Sequence, residues 1–382
     1  FTLQHWLFFL VPAKSIPTPA LIPIQALAAI AYAALYYLVF GWLFGRARRR
    51  LGIHRAFLLI PVLYLTMELL RDRGELAYPW CLAGSSVIGT PLMTLARTSG
   101  EMGVGAAAVF AAAALTALHW SRPAWILLVR TTLVILMFLV LGSLVGGRGA
   151  SPDPVEVAAV QADVPLDEKW VPAKLASTTG PYTDLTRKAA AEGARFVVWA
   201  ETAVPAYVRY EKELMDWVRD LAREEKICIF TGFPDAQRRP DGQLEKFNSS
   251  GLFNRQGVLL DRYSKHHLLP IGEAMPFTKY LPFLAKVDLG QAEWTPGPAP
   301  GVMTAPVGDQ AFSFSAMICF ESILGRLSRQ AVRKGSSCLL VITNDGWFGE
   351  TAGPRQHSAM ARMRSAECGV PLVRCANNGI SL

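Results

Sequence analysis

Residues 21–45 read LIPIQALAAIAYAALYYLVFGWLFG and contain no charged side chain. An α-helix needs about 20 predominantly apolar residues to cross the hydrocarbon core of a bilayer, where all of its backbone hydrogen bonds must be internal. We therefore predict that this segment spans a membrane. The composition agrees, because the chain is 52% hydrophobic and only 18% charged, with a mean hydropathy of +0.27.

Further apolar stretches in the first part of the chain are also candidate spans. They are residues 56–70, which end near Glu68, residues 102–118, which are rich in Ala and Gly, and residues 125–145, which are interrupted by Arg130. We therefore expect about four spans in a transmembrane helical domain over residues 1–150.

The basic residues are concentrated in this apolar part. Residues 1–150 carry 12 Lys and Arg against 4 Asp and Glu, whereas residues 151–382 carry 26 of each, so the net charge of +8 belongs to the first part. The cluster RARRR at 46–50 predicts a cytoplasmic loop. Each later span crosses the membrane once, so counting the spans that follow this loop places the residues after about 150 outside the cytoplasm. A nucleic-acid partner is not expected, because binding would require the basic residues on a polar folded face.

The pattern of apolar and polar residues changes near residue 150 at GGRGASPDP. After this segment, short β-like runs alternate with polar helical stretches. This alternation predicts an α/β domain over residues 151–382. Several of the apolar runs end on a chemically capable side chain, namely Glu201, Lys265, Cys319 and Asp345. Ligands of open α/β sheets bind beyond the carboxyl ends of the strands, so we expect these side chains to converge. Taken alone, Cys319 would be ordinary buried packing.

A set of motifs in this domain resembles one family. The motifs are WAET at 199–202, YSKHHLLPIGEAMPF at 263–277, ICFE at 318–321, NDGWFG at 344–349, GPRQHSAMARMRSAE at 353–367 and RCANNG at 374–379. They resemble the nitrilase superfamily and, more closely, its membrane-fused branch, the apolipoprotein N-acyltransferases. The resemblance implies a multi-pass transmembrane α-helical part followed by a nitrilase-like catalytic domain, an αββα sandwich. It also implies that both parts are incomplete here, the first at its N-terminus and the second at its C-terminus.

The resemblance implies a catalytic triad of Glu201, Lys265 and Cys319, with Glu273 as a second essential carboxylate. The side chains suit such chemistry, because a thiolate is the nucleophile, a lysine can stabilise its charge, and a carboxylate can accept the thiol proton. We expect further residues to bind substrate or support the site. They are Glu321, Phe320, Trp170, Asn248, Trp347 and Phe348.

By resemblance, the reaction moves an acyl chain from a phospholipid, most simply phosphatidylethanolamine, through a Cys319 thioester. The acceptor is the α-amino group of the diacylglyceryl-cysteine of an apolipoprotein. The implied location is the bacterial inner membrane, with the catalytic domain on the periplasmic side. No cofactor and no metal are expected, since His266 and His267 are adjacent and no C-x-x-C pair occurs.

Two other functions are compatible with the same residues. A membrane-tethered nitrilase-type amidase would use the same triad to hydrolyse a small amide or nitrile and would need no phospholipid. A non-catalytic membrane scaffold would carry a vestigial triad, which the presence of all four residues of the predicted catalytic set disfavours.

Overall fold

The computed structural model describes Trp6 and residues 21–145, 154–287 and 292–382. The described residues divide into two compact units. One is a helical unit that contains residues 22–145 together with Ala359–Gly369, and the other is an α/β unit that contains residues 154–358 and Val370–Leu382. Most of the predicted boundary at GGRGASPDP, residues 146–153, lies outside the described part of the chain.

The helical unit is built from long apolar helices. They are α1, Leu21–Arg71, α2, Ala96–Ala117, and α3, Arg122–Val145. Short 3-10 turns at Ala83–Val87 and Pro91–Leu95 lie between α1 and α2. Three segments of the described chain, Ile30–Arg71, Pro91–Ala117 and Arg122–Gly142, are long and apolar enough to cross a membrane. Large apolar side chains on these helices are exposed, which is the pattern expected where lipid is the solvent.

Helix α1 covers both the first and the second predicted span, and the predicted loop is shortened to a break within this helix. It is interrupted at Gly52, whose φ of 79° and ψ of 165° are not helical. Tyr37 and Phe40 contact Tyr64 at ring distances of 6.5 and 6.0 Å, and Phe44 contacts Phe57 at 6.0 Å. In each contact, one residue precedes Gly52 and the other follows it at a similar distance along the chain. The two halves of α1 therefore run antiparallel and form a hairpin.

Small side chains allow the helices of this unit to approach closely. Ala113, Ala114 and Ala117 of α2 pack in one buried cluster with Ala124 and Leu128 of α3. Such small residues are the usual means of close packing between membrane helices, where burial of apolar surface gives no driving force. The Ala-rich sequence that predicts a span therefore also accounts for its packing.

We predict that Gly52→Ala destabilises the helical unit. A Cβ at Gly52 would meet nothing within 4 Å, so the cost is conformational rather than steric. The backbone region that Gly52 occupies is accessible essentially only to glycine, and we expect a loss of about 1–3 kcal/mol. The midpoint of thermal unfolding in detergent measures this loss of stability. Gly45→Ala is the matched control, since Gly45 lies in the helix and a Cβ there meets only a flexible Arg49 side chain; equal midpoints for both variants would contradict the account.

The α/β unit contains two sheets. The first has strands β1, Val157–Val160, β2, Phe196–Trp199, β3, Cys228–Arg238, β4, Leu244–Phe253, and β5, Leu259–Ser264, in sequence order across the sheet. The second has β6, Met303–Val307, β7, Gln310–Ile318, β8, Leu339–Thr343, and β9, Leu372–Ala376, also in sequence order. Strands β1 to β3 are parallel, as are β7 to β9, and the remaining neighbours are antiparallel.

The helices of the polar half complete the element order. They are α4, Leu166–Lys169, α5, Leu175–Ala191, α6, Lys212–Glu224, α7, Gly325–Arg333, and α8, Gly353–Cys368. Helix α8 begins in the α/β unit and continues into the segment Ala359–Gly369 of the helical unit. Helices α5 and α6 account for two of the polar helical stretches that alternate with the β-like runs in the sequence.

Two cores arise from the alternation of side chains along buried strands. Phe196 and Val198 of β2 pack with Phe314 and Ile318 of β7 in the core between the sheets. The intervening residues, such as Trp199, face the opposite side and pack with α5 and α6 in a second core. On β7, Met317 contacts Ser328 of α7. This layering confirms the predicted αββα sandwich, and each fully buried large apolar side chain contributes about 1.5–3 kcal/mol.

The sheets bring the strand ends of interest to one region. Glu201 follows β2, Lys265 follows β5, Cys319 follows β7 and Asn344 follows β8. Strands β6 and β9 and helix α8 were not among the predicted elements. β6 contains Pro306, and the alternation of exposed and buried residues in MTAPV is short, so its pattern is weak.

Candidate active site

Glu201 is a buried carboxylate held from two sides. Its Oε1 accepts a hydrogen bond from Asn248 Nδ2 at 2.8 Å, and its Oε2 accepts one from the backbone N–H of Asn344 at 2.9 Å. Its carbonyl oxygen accepts a hydrogen bond from Lys169 Nζ at 2.8 Å. The side chain is therefore fixed on both oxygens, which suits a group that must accept a proton at a defined position.

Lys265 is 1% exposed and lies against Glu273. Its Nζ is 2.9 Å from Glu273 Oε1 and 2.8 Å from Oε2. Burial alone would lower the pKa of Lys265, but the charges of Glu273, Cys319 and Glu201 raise it above its ordinary value. The lysine is thus a permanent buried cation. Glu273 is itself positioned by the Leu269 N–H, which donates to Oε2 at 2.8 Å.

Cys319 begins the 3-10 turn Cys319–Ile323 at the end of β7 and has a φ of 53°. Cys319 therefore follows a strand, as the apolar run before it predicts. Burial raises the pKa of its thiol, as do the charges of Glu201 and Glu273, whereas Lys265 and a side-chain hydrogen bond with Thr343 oppose the rise. The net direction is upward, so the group is a thiol at neutral pH. Formation of a thiolate at neutral pH would require a base, and Glu201 is the carboxylate with the largest electrostatic effect on this thiol.

Glu321 is buried and organises the backbone around the cysteine. Its Oε1 accepts hydrogen bonds from Tyr263 Oη at 2.7 Å and from the N–H groups of His266 and His267 at 2.8 and 3.0 Å. Its Oε2 accepts one from the Ile318 N–H at 2.8 Å. The expectation that Glu321 orients the site agrees with these contacts, which join the residues after β5 to the end of β7.

The other predicted site residues divide into two groups. Asn248 is buried and bridges the carboxylates of Glu201 and Glu273, since its Nδ2 also lies 3.4 Å from Glu273 Oε1. Phe320 is buried and stacks on the ring of His267 at 6.0 Å. Trp170 is 47% exposed, and Trp347 and Phe348 are half-buried in the 3-10 turn after β8. The structure therefore places Asn248 between Glu201 and Glu273, buries Phe320 beside His267, and leaves the last three at partly open positions.

Sequence reasoning missed several residues that the structure places here. Lys169 is fully buried, and burial lowers its pKa to about 8, although the negative charge of Glu201 raises it in part. The backbone N–H of Asn344 donates to Glu201, and no pattern of side chains in the sequence predicts such a contact. Asp345 was noted only as the end of an apolar run, and it lies buried against His357 and Arg374. Among the described residues, no group of three or more His, Cys, Asp or Glu side chains could hold a metal ion.

Comparison with known proteins identifies the family. The family model described as Carbon-nitrogen hydrolase matches residues 156–382, and that of the Apolipoprotein N-acyltransferase N-terminal domain matches residues 1–114. The apolipoprotein N-acyltransferase of Geobacter metallireducens is 33% identical over 362 residues, which are 92% of this chain and 68% of the relative. That of Photobacterium profundum is 32% identical over the same shares. The chain belongs to the apolipoprotein N-acyltransferase family.

Membership of this family makes the protein a membrane-associated acyltransferase of lipoprotein biosynthesis. Solved structures with a related fold include a nitrilase-superfamily amidase of Nesterenkonia, with 18% identity and a TM-score of 0.42 over 61% of this chain and 83% of that one. A carbon-nitrogen hydrolase of Helicobacter pylori has 19% identity and a TM-score of 0.40 over 53% of this chain and 69% of that one.

We predict that Gly232→Ala displaces Glu201. A Cβ at Gly232, on β3, would lie 2.6 Å from the Thr202 nitrogen, 2.8 Å from the Ala200 oxygen and 3.0 Å from the Glu201 Cα. These are backbone atoms, so the residue that carries the carboxylate must move. We expect a loss of about 1–3 kcal/mol in the free energy of unfolding and about a 100-fold loss in acyl-transfer rate. Gly180→Ala in α5, where a Cβ meets nothing within 4 Å, is the control and should retain activity.

We predict that Glu201→Gln shifts the pH dependence of Cys319 alkylation to lower pH. The negative charge of Glu201 raises the pKa of the thiol, so its removal favours the thiolate. The measurement is the rate of iodoacetamide labelling of Cys319 between pH 7 and 11, followed by peptide mass spectrometry. Lys265→Met removes a charge that lowers the same pKa and should shift the profile in the opposite direction. Shifts of the same sign in both variants would contradict this electrostatic assignment.

Proposed function

We propose that the protein transfers a fatty acyl chain from a phospholipid to the α-amino group of a diacylated apolipoprotein by a two-step mechanism through Cys319. The single observation that supports it most is the buried charge cluster. Glu201 and Glu273 share the Asn248 amide, Glu273 is paired with the buried Lys265, and the charges of all three act on the Cys319 thiol. These are the components that nucleophilic acyl transfer needs.

In the first step Glu201 accepts the thiol proton and the Cys319 sulfur attacks the ester carbonyl carbon. Lys265 stabilises the thiolate and then the negative oxygen of the tetrahedral intermediate. The ester C–O bond breaks, and Glu201 returns the proton to the leaving alkoxide. The products are a lysophospholipid and an acyl thioester, and phosphatidylethanolamine is the donor we propose.

In the second step the α-amino group of diacylglyceryl-cysteine attacks the thioester carbonyl. A new C–N bond forms, the C–S bond breaks, and Glu201 removes the proton that the amine loses. That proton returns to the sulfur, so the Cys319 thiol is regenerated. Glu273, which is ion-paired to Lys265, balances its charge and holds the ammonium in place through the cycle.

The proposed function also implies where the protein lies in the cell. The apolar helices provide a membrane anchor, and a bilayer holds both lipid-anchored substrates close to the site. We propose the bacterial inner membrane, with several spans and the α/β unit on the periplasmic side, because the basic cluster at 46–50 favours the cytoplasm. Trp170, Trp347 and Phe348 are our candidates for contacts with the acyl chains, since all three are partly exposed.

The test is detection of the acyl-enzyme. The protein in detergent micelles is incubated with phosphatidylethanolamine and its intact mass is measured. We expect an added mass of one acyl chain that hydroxylamine removes, and no such mass in Cys319→Ala. Cys368→Ala, which removes another half-buried cysteine thiol, should retain the adduct.

Two results would contradict the proposal. An adduct that persists in Cys319→Ala would place the acyl chain on another residue. Absence of any adduct, combined with turnover of small amides without phospholipid, would favour the nitrilase-type amidase instead.

A further inference from the structure

We propose that His357 is a positioning residue for the nucleophile, acting on the carbonyl oxygen of Cys319. His357 lies at the beginning of α8 and is 1% exposed. Its Nε2 is 3.1 Å from the Cys319 carbonyl oxygen. No role was assigned to this residue from the sequence motifs, and its side chain contacts the backbone of the cysteine rather than its sulfur.

The backbone of Cys319 needs such support. With a φ of 53°, Cys319 occupies the left-handed region, which costs a non-glycine residue about 1–2 kcal/mol. A conformation of this kind persists only when its surroundings hold it. Glu321 holds one side of the turn through the Ile318 N–H, and His357 faces the carbonyl on the other side. The direction of the Cys319 side chain follows from this backbone conformation.

The contacts determine where the imidazole carries a proton. The Cys319 carbonyl can only accept hydrogen bonds, and the Ser322 hydroxyl already donates to it at 2.8 Å. Ser322 Oγ, 3.1 Å from His357 Nε2, therefore has no proton left for that nitrogen. Nε2 must be the protonated nitrogen, and it donates to the carbonyl. This holds for the neutral ring and for the charged ring alike.

A buried ion pair fixes the other side of the ring. His357 Nδ1 is 3.0 Å from Asp345 Oδ1 and 3.1 Å from Arg374 Nη2. Arg374 Nη2 in turn lies 2.9 and 2.8 Å from the two oxygens of Asp345, and both side chains are fully buried. The ring of Phe348 packs edge-on at 5.9 Å. The imidazole is thus held in one orientation, as a second group commonly orients a functional histidine.

The consequence concerns the sulfur. Without the Nε2–H donor, the Cys319 peptide loses one of the groups that hold the left-handed turn, and the sulfur moves away from Glu201 and Lys265. A misplacement of about 1 Å at a reacting atom can cost about 100-fold in rate. This inference rests on the proposed function only in taking Cys319 as the nucleophile.

The experiment compares His357→Ala, His357→Gln and Ser358→Ala in detergent micelles. Two rates are measured for each, iodoacetamide alkylation of Cys319 and acylation by phosphatidylethanolamine in a single turnover. We expect His357→Ala to slow acylation by about tenfold or more, with the phospholipid concentration for the half-maximal rate unchanged, and to give an alkylation rate different from that of Ser358→Ala. His357→Gln, whose amide can still donate to the carbonyl, should recover most of the loss. Ser358 is buried on the same helix, and Ser358→Ala should behave as the wild type.

The outcomes separate this inference from the proposed function. If wild-type protein is alkylated at Cys319 but never acylated, the proposed function fails, whereas the alkylation rates still test His357. Equal alkylation rates in His357→Ala and Ser358→Ala would overturn the inference. So would a His357→Gln variant that remains folded by near-ultraviolet circular dichroism and is as slow as His357→Ala.

Discussion

The contact between Lys265 and Glu273 is the interaction on which the rest of the site depends. A lysine that is 1% exposed cannot remain charged without an anionic partner, because the cost of moving an ammonium ion out of water is several kcal/mol. Glu273 provides that partner at 2.8 Å. The retained charge of Lys265 then lowers the pKa of the Cys319 thiol, which burial and the carboxylates raise.

The polar groups around this pair are arranged so that each charge is satisfied. Asn248 touches both Glu201 and Glu273, so the two carboxylates share one neutral donor rather than facing each other alone. Glu321 binds four donors, and Asp345 is paired with Arg374 and His357. Removal of Glu273 would leave the buried charge of Lys265 without its ion-pair partner, which is more costly than the net value of the pair. The arrangement thus ties the stability of the α/β unit to the geometry of its site.

Much of this architecture could be predicted from the sequence, and the reasons are specific. Short runs of apolar residues predicted most of the strands and the placement of Glu201, Lys265 and Cys319 at strand ends, whereas their assignment as a triad came from the resemblance of the motifs to a known family. The hairpin of α1 could not be predicted as one element, since the turn depends on the dihedral angles of Gly52 in a basic segment that itself forms helix.

His357 could not be found in this way. It lies near the beginning of α8, and its relation to Cys319 depends on the Asp345–Arg374 pair, in which Asp345 follows β8 and Arg374 lies within β9. Lys169 is similar, because only the packing of α4 places its amine on the Glu201 carbonyl. Neither contact leaves a periodic pattern in the sequence.

In the proposed mechanism the acyl chain forms one covalent intermediate on Cys319, and this thioester persists until an amine attacks it. The most direct measurement is the release of lysophospholipid by the protein in phosphatidylethanolamine vesicles, first without an acceptor and then after addition of a diacylated lipopeptide. The account predicts a burst of about one lysophospholipid per Cys319, as expected for an accumulating acyl-enzyme, followed by steady release only when the acceptor is present. Continuous release without acceptor, accompanied by free fatty acid, would contradict it and indicate hydrolysis.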